Sequence, residues 1–189
     1  ESNTRVSNQN LKGTIFKDAN GTVQDIDYLI ISPNFLSSQA QKLADFHKNN
    51  SGLRVKVVAL ETIYQEFSSG KQDIGAIRNF VKYVYDNAQN SKVKYLNLFG
   101  DASYDFKNTN NRTKNNTNIV PIYHAINGST LTSASFCSDD FYGLMDANEG
   151  LLNNTFYTQL DIAVGRMIVS TPVQADQMVN KVIEYYDKK

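Results

Sequence analysis

The sequence is short of several things, and each shortage excludes something. Its 189 residues include a single cysteine, so no disulfide can form within the chain. One thiol says nothing decisive about redox compartment. Lysine plus arginine and aspartate plus glutamate stand at 19 each. That balance leaves no broad basic footprint for a nucleic acid or an anionic membrane. No apolar run approaches the ~20 residues that a membrane-spanning helix needs. Neither Gly-x-Gly-x-x-Gly nor Gly-x-x-x-x-Gly-Lys occurs, so a nucleotide site would rest on fold alone. The chain opens Glu1-Ser2-Asn3 with no Met and no signal-type apolar stretch, which is expected of a piece of a longer polypeptide.

What is present is an alternation of two periodicities. Tyr28-Leu29-Ile30-Ile31 is a continuous apolar run stopped by Ser32-Pro33-Asn34, the pattern of a strand buried on both faces. Leu36, Ala40, Leu43, Ala44 and Phe46 then recur at helical spacing, and Gly52 closes that helix. Val55, Val57 and Val58 predict a second strand running to Leu60. Ile74, Ile77, Phe80, Val81, Val84 and Tyr85 mark another helix face, and Lys94–Phe99 a third strand stopped by Gly100-Asp101.

A polar loop is expected from Lys107 to Asn118. Short β-like pieces follow at Ile119–Tyr123 and Phe141–Met145, then a fourth core strand at Leu160–Val164. Thr171 is a good N-cap and Pro172 fits a first turn, so the last helix starts there with Val173, Met178, Val182 and Ile183 on its buried side. Strand–helix alternation predicts a three-layer α/β/α fold with a mainly parallel sheet of about four strands, Rossmann-like, plus a β-hairpin. Residues 1–26 are polar and Asn-rich and are expected to be a leader or linker from a preceding domain, with Thr14-Ile15-Phe16 as a leftover strand. Residues 27–189 are expected to form a single globular unit.

Ligands of open α/β sheets gather outside the carboxyl ends of the strands. Four places qualify: Gly100–Asp105, Ser138-Asp139-Asp140, the turn Asp146–Gly150, and Gly165-Arg166. Asp101 could cap a turn or meet a ligand there. Asp139, Asp140, Asp146, Asn148 and Glu149 offer hard oxygen ligands for Ca²⁺, although the full Asp-x-Asp-x-Asp-Gly loop is lacking and an acidic hairpin turn competes. Arg166 could pair with one of these carboxylates.

His124 and Cys137 suggest a base and a thiol nucleophile, yet a free Cys is more often a small buried hydrophobe. His47 falls on the polar side of its helix and is expected to be solvated.

With the strands placed, the chain resembles the amino-terminal subdomain of gingipain-type (family C25) cysteine peptidases. The motifs that carry the likeness are Asp27-Tyr28-Leu29-Ile30-Ile31, Tyr95–Asp105, Ser138-Asp139-Asp140-Phe141-Tyr142-Gly143-Leu144-Met145-Asp146, Leu160–Met167, and the final helix through Lys181 and Tyr185. They run in order from Asp27 to Lys189. Ala102 stands where gingipains proper have His, as in the branch of the family that serves the type IX secretion system of Bacteroidetes.

The resemblance implies a caspase-like fold and a parent that is a cell-surface, outer-membrane or secreted peptidase. That parent would remove carboxy-terminal sorting signals from exported proteins and transfer some cargo to lipopolysaccharide. In the family the catalytic His lies in a Gly-His-Gly turn, and the Cys follows a later apolar strand. Neither motif occurs here. Both belong to a second, carboxy-terminal subdomain, the partner this chain would need. The resemblance therefore assigns no catalytic residue to the chain and no required cofactor, and it keeps Ca²⁺ open because several members bind it.

Sheet geometry and resemblance together nominate Asp101, Tyr104, Asp105, Asp139, Asp140 and Arg166 as lining the substrate cleft. Protein substrates bearing sorting signals are the expected partners of the parent, and nucleic acid is not. Two other readings stay open: a non-catalytic flavodoxin-like binding module, and a small cysteine hydrolase using Cys137 and His124.

Overall fold

A computed structural model describes residues 10–109, 116–125, 135–150 and 159–188. In chain order the elements are α1 (Leu11–Thr14), β1 (Tyr28–Ser32), α2 (Ser37–Ser51), β2 (Val55–Ala59), α3 (Leu60–Phe67), α4 (Ile74–Asp86), β3 (Tyr95–Phe99), β4 (Tyr123–Ala125), β5 (Phe136–Ser138), β6 (Ala163–Met167) and α5 (Pro172–Asp187). Single 3-10 turns occupy Asn34–Leu36 and Asp140–Gly143. The main sheet has the order β2-β1-β3-β6, every pair parallel, and β4 pairs antiparallel with β5. This is the expected α/β fold with a parallel four-stranded sheet and a hairpin.

Burial explains the apolar runs. Leu29, Ile30 and Ile31 of β1 are fully inaccessible because helices lie on both sides of the sheet. On one face Leu29, Ile31, Leu96 and Leu98 pack against Ile63 of α3 and Ile77, Phe80, Val81 and Val84 of α4. On the other, Ile30 and Phe99 pack against Leu43 of α2 and Ala175 and Val179 of α5. Helix ends follow their capping chemistry. Gly52 takes a left-handed conformation after α2 (φ 66°), the Asp73 side chain accepts the N–H of Gly75 at the start of α4, and Thr171 accepts that of Gln174 in α5.

Several boundaries differ from expectation. The strand predicted at Leu160–Val164 begins at Ala163 and runs on to Met167, because the N–H groups of Asp161 and Ile162 bond instead to the carbonyl of Gly143. Phe141–Met145 is not a strand. Its apolar residues are buried in a 3-10 turn and the segment after it, and the hairpin is built from Tyr123–Ala125 and Phe136–Ser138. The second strand ends at Ala59, and Leu60 opens α3, a helix that was not expected there. Thr14-Ile15-Phe16 straddles the end of a helical turn instead of forming a strand.

Packing also runs across the boundary expected after residue 26. Ile15 and Ile26 are buried in the main core, the N–H of Leu11 donates to Glu66, and the hydroxyl of Tyr83 donates to the carbonyl of Lys12. Of the loop expected from Lys107 to Asn118, residues 110–115 lie outside the described residues, as do residues 1–9 of the expected leader.

Candidate functional site

β1 connects to β2 on one side and pairs with β3 on the other. The chain direction therefore switches between β1 and β3, and the carboxyl ends of β1, β3 and β6 form the rim where such folds place their sites. Gly100 ends β3 with almost no room above it, since a Cβ there would lie 2.7 Å from the Ile119 side chain. The backbone must turn at this point, and Asp101 fixes the turn. Its Oδ1 accepts the N–H of Ala102 at 2.8 Å, and Oδ2 accepts the hydroxyls of Thr117 at 3.2 Å and Ser170 at 3.4 Å. Its backbone carbonyl accepts the N–H groups of Ile119 and Val120. Asp101 thus joins the loop after β3 to the segment after β6, a capping role.

Arg166, on β6, holds the same rim from within. Its Nε donates to Asp139 Oδ2 at 2.9 Å and Nη2 to Oδ1 at 2.6 Å, a bidentate pair. Nη1 donates to the carbonyls of Gly100 at 2.8 Å and Val120 at 2.7 Å, and Nη2 also reaches that of Pro121 at 3.3 Å. One guanidinium therefore ties β6, the β3 turn, the segment leading into β4, and the residue after β5. Tyr142 reinforces the knot. Burial pushes its phenol far up in pKa, so it stays neutral and donates to the carbonyl of Pro121 at 2.6 Å.

The remaining cleft candidates divide. Asp105 is buried, and its carboxylate accepts the N–H and hydroxyl of Thr109 at 3.0 and 3.2 Å, so it organises the loop. Tyr104 is 63% exposed and Asp140 is also exposed, both free to meet a neighbour. Behind the loop a cavity of about 320 Å³ lies between Asp73 and Ile74 at the start of α4 and Phe106, Ile122 and His124.

The oxygen ligands proposed for Ca²⁺ do not converge. Asp139 is committed to Arg166, Glu149 Oε2 accepts the N–H of Asp146 at 3.0 Å, and Asp140, Asp146 and Asn148 face solvent. Among the described residues no three His, Cys, Asp or Glu side chains gather as a metal shell. Asn148 and Gly150 instead carry positive φ, 67° and 115°, as a tight turn requires.

His124 and Cys137 sit directly opposite each other in the β4–β5 register. The geometry does not activate the thiol. Cys137 is exposed, and partial desolvation by its surroundings together with the nearby Asp139 carboxylate pushes its pKa up, the reverse of what a nucleophilic thiolate needs. His124 Nε2 is buried without a hydrogen-bond partner, and its ring packs edge-on against Phe106 at 5.5 Å. His47, expected to be solvated, is half-buried among Tyr28, Phe46 and Tyr186 at the ends of α2 and α5, and burial lowers its pKa. Asp161 lies within the Leu160–Met167 motif but was not among the expected site residues. It accepts the N–H of Met145 at 2.8 Å and the hydroxyl of Tyr85 at 3.3 Å, a pairing that an Asp opening an apolar run does not advertise.

Comparison with known proteins adds a family to this geometry. The family model of peptidase family C25 matches residues 22–189. The crystal structure of dimeric latent PorU from Porphyromonas gingivalis superposes with a TM-score of 0.73 at 31% identity, over 86% of this chain and 16% of that one. A complex of the pro- and mature domains of RgpB from the same organism superposes with a TM-score of 0.54 at 20% identity, over 84% of this chain and 28% of the other. The second likeness is one of fold. The chain thus spans only a small part of either structure, and no curated protein sequence matches it.

Proposed function

The chain belongs to peptidase family C25, and on that premise we propose that it is the amino-terminal subdomain of a PorU-like peptidase, supplying scaffold and one wall of the substrate cleft. The parent acts on protein substrates that carry carboxy-terminal sorting signals, at the cell surface, as part of type IX secretion. The nucleophile and its base come from a second, carboxy-terminal subdomain of the same polypeptide. No helix of the described residues is long and apolar enough to cross a membrane.

The observation that carries this reading is the Arg166 knot. A buried guanidinium that holds carbonyls and a carboxylate from separate segments at the carboxyl rim fixes loop positions, and it commits Arg166 and Asp139 to each other instead of to proton transfer. In such a wall Asp101 and Asp105 set loop shape, while Tyr104 and Asp140 present to the cleft. The unactivated Cys137 speaks against a self-sufficient hydrolase.

The test compares the isolated chain with the full-length parent on a substrate bearing a sorting signal. We expect no cleavage by the chain alone and cleavage by the parent. Alanine at Tyr104 and Asp140 should slow the parent. Cleavage by the isolated chain, lost on Cys137→Ser, would overturn the reading.

A further inference from the structure

Parallel sheets are ordinarily covered on both faces, and here the cover is uneven. On the α2–α5 face, Ile30 and Phe99 are sealed beneath Leu43 and Val179. Toward the amino ends of β3 and β6 that cover stops. Ala163 and Gly165 are exposed there, and Tyr95 and Tyr186 are 45% and 41% exposed. A cleft of about 510 Å³ opens between the carboxy-terminal ends of α2 and α5 and the strands, with Tyr28, His47, Tyr95, Asn97, Gly165 and Tyr186 among its walls.

The lining is unusual in its chemistry. Among the described residues it contains no Asp, Glu, Lys or Arg, and burial lowers the pKa of its histidine, His47, which favours the neutral ring. Asn97 forms part of the floor and is 7% exposed. Its Nδ2 donates to the Tyr28 hydroxyl at 3.0 Å, while Oδ1 is buried with no partner. Turning the amide over would only move the deficit to the nitrogen. A buried polar atom left unpaired costs roughly 1–3 kcal/mol. At Gly165 a Cβ would meet nothing within 4 Å, so the space above β6 is open.

We infer that this cleft is the seat of a second element of the same parental polypeptide, an inference that rests on the proposed function. A charge-free wall rich in tyrosine has the composition of an interface core, where charged residues are depleted and aromatics enriched. The occupant is correspondingly uncharged. It presents apolar side chains to Ala163 and Gly165, and one neutral hydrogen-bonding group toward Asn97. The matched PorU chain is several times longer than this one, which covers 16% of it, so the family has chain to place there. The seat lies at the end of the sheet opposite the carboxyl rim, which separates assembly of the enzyme from contact with its substrate.

The test uses Gly165→Phe in the 189-residue chain and in the full-length parent. In the chain the new ring enters open space, and the thermal midpoint should stay at the wild-type value. In the parent it competes with the occupant. We expect hydrogen exchange at residues 95–97 and 163–165 to be slower in the wild-type parent than in the isolated chain, and the substitution to abolish that difference. Equal exchange in parent and chain would overturn the inference, and so would a parent whose protection survives Gly165→Phe. A concentration-dependent dimer of the isolated chain, abolished by the substitution, would assign the seat to a second copy and likewise overturn it. Peptidase activity of the wild-type parent is read separately. An active parent without protection sinks the docking seat alone, whereas an inactive parent sinks the functional reading.

Discussion

Arg166 and Asp139 meet through two parallel N–H···O bonds, and the Arg166 side chain is only 8% exposed. The pair works in concert with the carbonyls of Gly100 and Val120, so neither partner can leave without stranding the other. Asp139→Ala should destabilise the chain by about 3–5 kcal/mol, since it leaves a buried cation uncompensated. Arg166→Lys should fail to restore stability, because an ammonium cannot reach both carboxylate oxygens and the carbonyls at once. Urea unfolding checks both, and a wild-type midpoint for the lysine variant would refute the argument.

Acid should loosen the amino-terminal edge of the domain. Hydrogen bonds from Arg54 hold the Asp27 carboxyl down to about 2 from its ordinary 3.8. Burial alone would raise Asp25, but the N–H groups of Gln89, Asn90 and Ser91 outweigh it and lower its pKa as well. A depressed carboxylate stabilises the fold above its unfolded pKa and loses that contribution as pH falls through the folded one. The loss attached to Asp27 should develop from about pH 4 to about pH 2. With the half-exposed guanidinium screened by solvent it should amount to roughly 1–2 kcal/mol. Asp27→Asn should flatten that part of the stability–pH curve, as monitored by chemical denaturation at successive pH values.

Two glycines should respond in opposite ways. A Cβ on Gly143 would lie 2.7 Å from the backbone oxygen of Ile162 and 2.8 Å from Val164. Backbone cannot swing aside as a side chain can, so Gly143→Ala should cost about 1–3 kcal/mol by overpacking. Gly165→Ala should be neutral or slightly stabilising in the isolated chain. Matched thermal melts of the two variants are sufficient, and equal losses would refute the distinction.

Cys137 should behave as an ordinary or sluggish thiol. With its pKa raised by partial desolvation and Asp139, alkylation by iodoacetamide should be slower than that of a free cysteine at neutral pH and should accelerate in alkali. His124→Ala should leave the rate unchanged. A fast reaction at pH 7 that depends on His124 would revive the dyad.

The sheet was legible because β1 and β3 are buried on both faces, and continuous apolar runs are what such strands require. β6 was legible only in part. Its second half is Gly165-Arg166-Met167, residues chosen for an open face and for the rim knot, so the apolar signal fades where the strand continues. Phe141–Met145 misled for the converse reason. Phe141 stacks on Tyr123 at 4.5 Å, and Tyr142 and Met145 fill the core beside α4, but burial of an apolar residue does not make it a strand. α3 did carry a helical signal in Leu60, Ile63, Tyr64 and Phe67, masked by the valines running into it. At the site, the acidic residues were visible as a group and Arg166 was expected to pair with one of them, yet sequence spacing could not show that the partner is Asp139, 27 positions away. The cleft at the other end of the sheet had no signal, since it is assembled from single residues on separate strands and helices.

The strand order also says something about when the parts come together. Three of the four sheet strands are complete by Phe99, with β1 pairing on both flanks, whereas β6 begins only at Ala163. Bringing β6 to β3 closes a long loop, and such closures are late and slow compared with local pairing. Arg166 arrives with that strand, so the loops that it ties at the carboxyl rim cannot take their final shape before β6 pairs with β3. A nascent chain emerging in order would pair its first three strands while the carboxyl rim is still untied, so the rim is completed only after β6 has been made.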